Sequence, residues 1–393
     1  MDDNTSASAP NLSAKYSGLS GNEMYCVNLL GYQPGNLLLG NSVFSMGFLG
    51  NIGSGIKTFT GGEINQVTNM IAEGRRLSLS RFAQELSDAK GAGASGVTSE
   101  LIMHPGNIEF LTIGSTIHRN DGDTSYSFTS SADGQELFCQ WDAGYQPVGF
   151  VFGNVAYSIG AVQGVFGSIK QIAKGEVSQY SNIFNKTRNL ALQRITDEAK
   201  SMNANSVVGI RTTILPVGTS GVQEMIMIGT ASYNPQIDSI ASIAGGVTTS
   251  DLTAEETWNI TQLGYAPIKL LIGTSVYSLG FVGGLKAALK NFVKGEISDL
   301  TQLIYGAREQ SIKKLQQQAE EVDADDVLGI KTYIYNIGGN LIEFMAIGTA
   351  VKRVNNLSSR SKQLPPQAII RDKSTFFDTA NVSYGTDLND TVI

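Results

Sequence analysis

Three stretches of this chain carry one ordered set of residues at a constant offset, and a threefold internal repeat restricts the fold more than any single motif does. Gly31-Tyr32-Gln33-Pro34 returns as Gly144-Tyr145-Gln146-Pro147 and as Gly264-Tyr265-Ala266-Pro267. The same registers then hold Gly40, Gly153 and Gly273, followed by Gly62-Glu63, Gly175-Glu176 and Gly295-Glu296. Arg75, Arg188 and Arg308 come next, and after them Gly96-Val97, Gly209-Ile210 and Gly329-Ile330. Length changes are confined to Pro105-Gly106-Asn107, Gly218-Thr219-Ser220-Gly221 and Gly338-Gly339-Asn340, which marks those positions as turns.

A chain of 393 residues built from such a unit divides into three domains. Residues 1–19, rich in Ser, Asn, Asp and Ala, read as a disordered arm; 20–119, 133–233 and 253–353 are the three copies; 120–132 and 234–252 are linkers with few bulky apolar residues. Residues 354–393 read as a flexible tail, whose apolar patches Ala368-Ile369-Ile370 and Phe376-Phe377 leave room for docking to a client protein. Domains this small bury a modest share of their surface, so further burial against sister copies or other chains is expected.

Each copy opens with a capping box, Ser20-x-x-Glu23, Asp133-x-x-Glu136 or Thr253-x-x-Glu256, which starts a short helix ending before the Gly-Tyr pair. The apolar runs Leu37-Leu38-Leu39, Phe150-Val151-Phe152 and Leu270-Leu271-Ile272 then predict a strand. A long helix follows, with Leu300, Leu303, Ala307, Ser311, Leu315, Ala319 and Val322 on one face in copy three and Arg308 at the edge of that stripe. Val327 to Tyr335 and Leu341 to Val351, joined by Gly338-Gly339, predict a closing hairpin. One helix across an antiparallel sheet is the simplest way to bury both apolar faces.

The ordered set resembles the YbjQ-like family, whose label is heavy-metal binding. The resemblance is carried by the strand glycine, the Gly-Glu pair before the helix, Ala307-Arg308, and above all by Ala204-Asn205-Ser206-Val207-Val208-Gly209-Ile210 and Ala324-Asp325-Asp326-Val327-Leu328-Gly329-Ile330. It implies an α+β fold of three tandem two-layer β-α-β-β domains (YbjQ/dodecin-like), each preceded by a short helix. It also implies ring-shaped pentamers in which short extra strands join neighbours. A ring of five cannot be filled by whole chains of three consecutive copies, so either five chains stack three rings or the ring order differs; one ring per copy is the preferred arrangement. Copy one departs at Gly91-Ala92-Gly93-Ala94-Ser95-Gly96-Val97, where smaller residues weaken the strand's hold on its core, and this copy is expected to be the peripheral or more mobile domain.

The ligands of a soft metal are scarce. The chain has two His, His104 and His118, and two Cys, Cys26 and Cys139, with no CxxC or HxxxH spacing, so no zinc or copper site is expected within each copy. Because the two cysteines occupy equivalent registers of different copies, no disulfide is expected between them. Glu63, Glu176 and Glu296 repeat and would suit a divalent cation if symmetry converged them on an axis, although offsetting a helix dipole or pairing with Lys or Arg is the stronger reading. Arg75, Arg188 and Arg308 either bind an anion or, by preference, pair with a carboxylate across a subunit boundary. No GxxxxGK[ST] or strand-GxGxxG pattern accompanies the glycine-punctuated segments, and no nucleophile with a base stands in repeat register.

A formal net charge of -7 disfavours a nucleic-acid partner. Val148 to Ser168 is uncharged over about a bilayer span, but its Asn154, Ser158 and Gln163 favour a soluble crossover over membrane contact. Met1 to Ser6 has neither a basic nor an apolar region of a secretory signal, and a cytoplasmic location is expected. The sequence therefore points to a non-enzymatic self-assembling scaffold or binding protein that forms a cyclic homo-oligomer, with no required cofactor. A cation or small-ligand binder using the repeated Glu and Arg positions is the alternative; a membrane-associated protein or an enzyme is less favoured.

Overall fold

Ser20, whose side chain accepts the Glu23 amide while the Glu23 carboxylate returns to the Ser20 amide, starts helix α1 (Gly21–Leu29) of the computed structural model. The structure describes residues 15–45, 47, 62–125, 127–158, 175–217, 222–278, 298–338 and 341–369. After α1, copy one runs through β1 (Tyr32–Ser45), α2 (Asn65–Asp88), β2 (Gly93–His104) and β3 (Asn107–Arg119), with β4 (Phe128–Thr129) in the connection beyond. Copy two has α3 (Gly134–Asp142), β5 (Gln146–Ser158), β6 (Gly175–Glu176), α4 (Ser178–Ser201), β7 (Ser206–Val217) and β8 (Val222–Tyr233). A short helix α5 (Asp238–Ile243) and β9 (Thr248–Thr249) lead on. Copy three has α6 (Ala254–Gln262), β10 (Tyr265–Ser278), α7 (Ser298–Glu321), β11 (Asp326–Gly338) and β12 (Leu341–Arg353), and α8 (Pro366–Ile369) follows. Capping boxes also start α3 and α6.

The result is the α+β fold of three β-α-β-β units. Strand orders are β1-β3-β2-β4, β5-β8-β7-β9 and β11-β12-β10-β6, so in every copy the last strand lies between the first and second, antiparallel to both. The repeated strand glycine is where the long helix crosses the sheet. A Cβ on Gly40, Gly153 or Gly273 would meet the carbonyl oxygen of Ser78, Ala191 or Ser311 at 2.1, 2.1 and 2.2 Å, a distance no side chain tolerates. The second repeated glycine has another cause: Gly96, Gly209 and Gly329 have φ of +65°, +62° and +63° at the register shift of their strand, a bulge that requires the left-handed region.

Each fourth strand comes from outside its own β-α-β-β unit. β4 and β9 belong to the connections and pair parallel to β2 and β7, whereas β6 crosses from copy two to pair with β10 of copy three. The segments read as linkers thus carry buried apolar side chains, among them Phe128, Ile237, Ile240 and Val247. Two glycines of the small-residue stretch of copy one have a packing cause: a Cβ on Gly93 would stand 2.9 Å from the Phe128 ring, and one on Gly91 would meet Thr116 and Leu86.

The flexible tail expected from residue 354 needs correction over its described part. Residues 354–369 fold back onto the leading helices: Leu357, Leu364 and Ala368 are buried in one cluster with Cys139 and Trp258, the Arg360 amide bonds to the Asp142 carbonyl, and the Ser361 hydroxyl donates to the Asp142 carboxylate. Burial of these apolar side chains holds the segment in place. Residues 370–393 lie outside the described residues. So do Ser168 and most of the glycine-punctuated segments, while Val148 to Ser158 forms part of β5. Among the described residues no helix is long and apolar enough to cross a membrane.

Candidate functional site: the junction between consecutive copies

The apolar stripe of each long helix packs on its own sheet, which leaves the residues at the edge of the stripe facing the next copy. Arg75 on α2 reaches Glu224 on β8 through two hydrogen bonds, Nε to Oε1 at 3.1 Å and Nη2 to Oε2 at 2.7 Å. Its remaining nitrogen donates to the Ser99 carbonyl and hydroxyl. Arg188 on α4 repeats the arrangement with Glu343 on β12, at 3.2 Å from Nε and 2.9 to 3.0 Å from Nη2. All four side chains are 0–1 % exposed. Arg188 is also flanked by the rings of Tyr157 and Phe184, 4.5 and 5.4 Å from its guanidinium carbon. Burial by itself pulls its pKa down, but the Glu343 carboxylate and Tyr157 outweigh that, so the guanidinium is held charged.

The repeated glutamates stand at the same junctions. Glu63 forms a bridge with Tyr157 on β5, and its carboxylate lies 2.6 Å from Arg194 Nη1 of copy two. Glu176, in β6, pairs with Tyr277 on β10 and lies 3.2 Å from Lys314 Nζ of copy three. One residue further on, the amides of Ile64 and Val177 donate to the carbonyls of Ala156 and Val276, each at 2.8 Å. The amides of Ala156 and Val276 in turn donate to the hydroxyls of Thr68 and Ser181, each at 2.9 Å. Copies one and two therefore each satisfy the outer edge of the next copy's first strand, an edge that would otherwise present unpaired backbone groups.

Of the six repeated positions, Glu63, Arg75, Glu176 and Arg188 are thus placed at junctions between copies. Glu296 lies outside the described residues. Arg308 is exposed and has no carboxylate partner among the described residues. The acceptors were missed by sequence reasoning, yet Glu109, Glu224 and Glu343 all stand four residues before the Ile-Gly pairs Ile113-Gly114, Ile228-Gly229 and Ile347-Gly348. A buried acidic residue on a strand that recurs with a buried arginine was the available signal. In copy one Glu109 instead takes His104 Nε2 at 2.7 Å and Asn41 Nδ2 at 3.3 Å, contacts that hold its carboxyl below the ordinary value.

A soft metal does not fit these residues. Both thiols are free and buried, and burial pushes Cys26 up to about 12 and Cys139 higher still, which opposes the thiolate a metal needs. Glu63 and Glu176 already face cations, and among the described residues no group of three or more His, Cys, Asp or Glu is placed to hold an ion. A separate cleft of about 630 Å³ opens where the first turns of α3 and α6 meet β7 and β11. Arg211 is paired there with Glu136, Lys331 with Asp251, and burial followed by the Glu136 charge raises Asp133 to about 7. The capping glutamates Glu23 and Glu136 line it, but none of Glu63, Glu176, Arg75, Arg188 and Arg308 does.

Fold and junctions together define a tandem-repeat α+β protein whose copies are joined head to tail. The family model described as "Putative heavy-metal-binding" matches residues 33–102, 144–234 and 256–354, and the chain belongs to this YbjQ family. It is similar to Encapsulin nanocompartment protein Rv1762c of Mycobacterium tuberculosis, 28% identical over 237 residues that cover 58% of this chain and 87% of the relative. It is also similar to a UPF0145 protein of Lacticaseibacillus casei, 32% identical over 99 residues (25% of this chain, 92% of the relative). Another, of Levilactobacillus brevis, is 34% identical over 105 residues (27% and 98%). About one copy of the repeat spans these two relatives, and none of the three names is that of an enzyme.

Proposed function

We propose that this protein is a non-enzymatic, self-assembling scaffold whose chains associate into a cyclic homo-oligomer. The observation that carries this reading is that one junction, with the same bidentate Arg-Glu pair and the same edge-strand bonds, is made twice in succession. A head-to-tail interface that can repeat does not saturate itself; it continues until the rotation closes a ring or a filament grows. Closure is favoured because it leaves no sheet edge open. The name of the Mycobacterium tuberculosis relative, an encapsulin nanocompartment protein, supports an assembling role.

The stacked pentamers suggested by family resemblance give way to a different arrangement in this reading. Short strands of the kind expected between ring neighbours join consecutive copies of one chain, as β6 does with β10. Consecutive copies therefore occupy neighbouring positions of one ring, and the number of positions is a multiple of three. Native mass spectrometry and sedimentation are the test. The expected result is a discrete species at a whole-number multiple of 41.9 kDa at micromolar concentration; a particle of 41.9 kDa at every concentration would remove the reading.

A further inference from the structure

Two junctions among three copies leave one unmatched half at each end of the row. Glu109 stands in the register of Glu224 and Glu343, but its side chain is 20% exposed where theirs are 0–1 %. Arg308 stands in the register of Arg75 and Arg188 and is exposed where they are buried. We propose that Arg308 of one chain and Glu109 of a second copy of this chain form the same bidentate pair, and that this joint links whole chains head to tail. The inference rests on the self-association proposed above and names the surfaces that perform it.

The surroundings of both residues are those of an unmade junction. On copy one, Leu39 and Val43 are 47% and 57% exposed, whereas at the same registers Phe152, Ala156, Ile272 and Val276 are buried. Two isolated aliphatic side chains on a free strand edge are ordinary, but the equivalent positions of both other copies are covered by the preceding copy. Val43 is the register of Ala156 and Val276, whose outward amide and carbonyl are each bonded by that preceding copy. The corresponding edge of Val43 has no partner among the described residues. On copy three, Thr301 is exposed in the register of Thr68 and Ser181, which supply the hydroxyl to that amide.

Charge decides the orientation. The outgoing face of copy three offers a guanidinium and the incoming face of copy one a carboxylate, so tail meets head, and tail-to-tail contact would oppose two arginines. In the single chain the Glu109 oxygens are taken by His104 Nε2 and Asn41 Nδ2, at 2.7 and 3.3 Å, and the His104 side chain is 46% exposed, so an incoming guanidinium must displace these contacts. A bidentate guanidinium is the stronger partner for a carboxylate being desolvated.

The test uses full-length chains carrying Arg308→Glu, Glu109→Arg, or both, followed by sedimentation and native mass measurements. Each single variant opposes two like charges in every joint and should raise the dissociation constant of the assembly by roughly a hundredfold. The double variant should assemble like the wild type, because opposite charges then meet again in every joint; an equimolar mixture of the two single variants should associate wherever the two alternate, while neither does so alone. If the wild type assembles and the single variants do so equally well, or if the double variant stays dissociated, this inference fails while self-association stands. A wild type that never leaves the monomer removes both.

Discussion

At the residue scale, the fully buried guanidinium of Arg188 is tolerable only because Glu343 and two aromatic rings surround it. A buried ion pair contributes little net stability, but breaking one from a single side leaves an uncompensated charge. Arg188→Ala is therefore expected to lower stability by about 3–5 kcal/mol in denaturant titrations. Replacing both partners, Arg188→Met with Glu343→Leu, should recover most of that loss. Recovery no better than the single variant would mean the pair is not what the arginine is buried for. The arginine itself was legible in the sequence through its threefold recurrence beside an apolar stripe. Its partner was not, because the two lie 155 residues apart and in different copies. The cysteines show the same limit: their equivalent registers argued against a meeting, yet α1 and α3 pack side by side and bring Cys26 and Cys139 into one buried cluster as free thiols.

At the scale of elements, two repeated glycines that look alike in sequence perform different tasks. Gly153 lies under α4, and a methyl group there collides with helix backbone that cannot turn aside. Gly153→Ala should cost about 1–3 kcal/mol. Gly209 has open space around it and is held only by its positive φ, so Gly209→Ala should cost about 1 kcal/mol. Thermal unfolding of the two variants checks the order; equal shifts would show that the helix can ride up over an added methyl. The leading and long helices of the copies, the long strands and the three capping boxes were readable, since each spans enough residues to show its period or carries its own cap; the short helices α5 and α8, in segments read as linker and tail, were not. The two-residue strands β4, β6 and β9 were not, because such a stretch has no period and its pairing is set by what lies beside it.

At the scale of the whole molecule, the copies are tied together twice, by the junctions between sheets and helices and by the cluster in which the leading helices meet residues 354–369. Leu364 is 7% exposed within that cluster. Leu364→Ala should cost about 2–4 kcal/mol and release the segment. Hydrogen exchange would report this as loss of protection around residues 357–369 with little change in the long helices; unchanged protection would mean that Asp142 and the polar contacts hold the segment alone. The sequence by itself determined the number of copies, the order of elements within each, and the positions where a helix crosses a sheet or a strand bulges. These depend on local periodicity, capping and residue size, all recorded within a few turns of chain. Which carboxylate meets which arginine, which strand edge the following copy has covered, and that Glu109 and Arg308 stay more exposed than their counterparts in the other copies were decided only in three dimensions. Burial of a charge is governed by distances between residues far apart in the chain, and no local pattern encodes those.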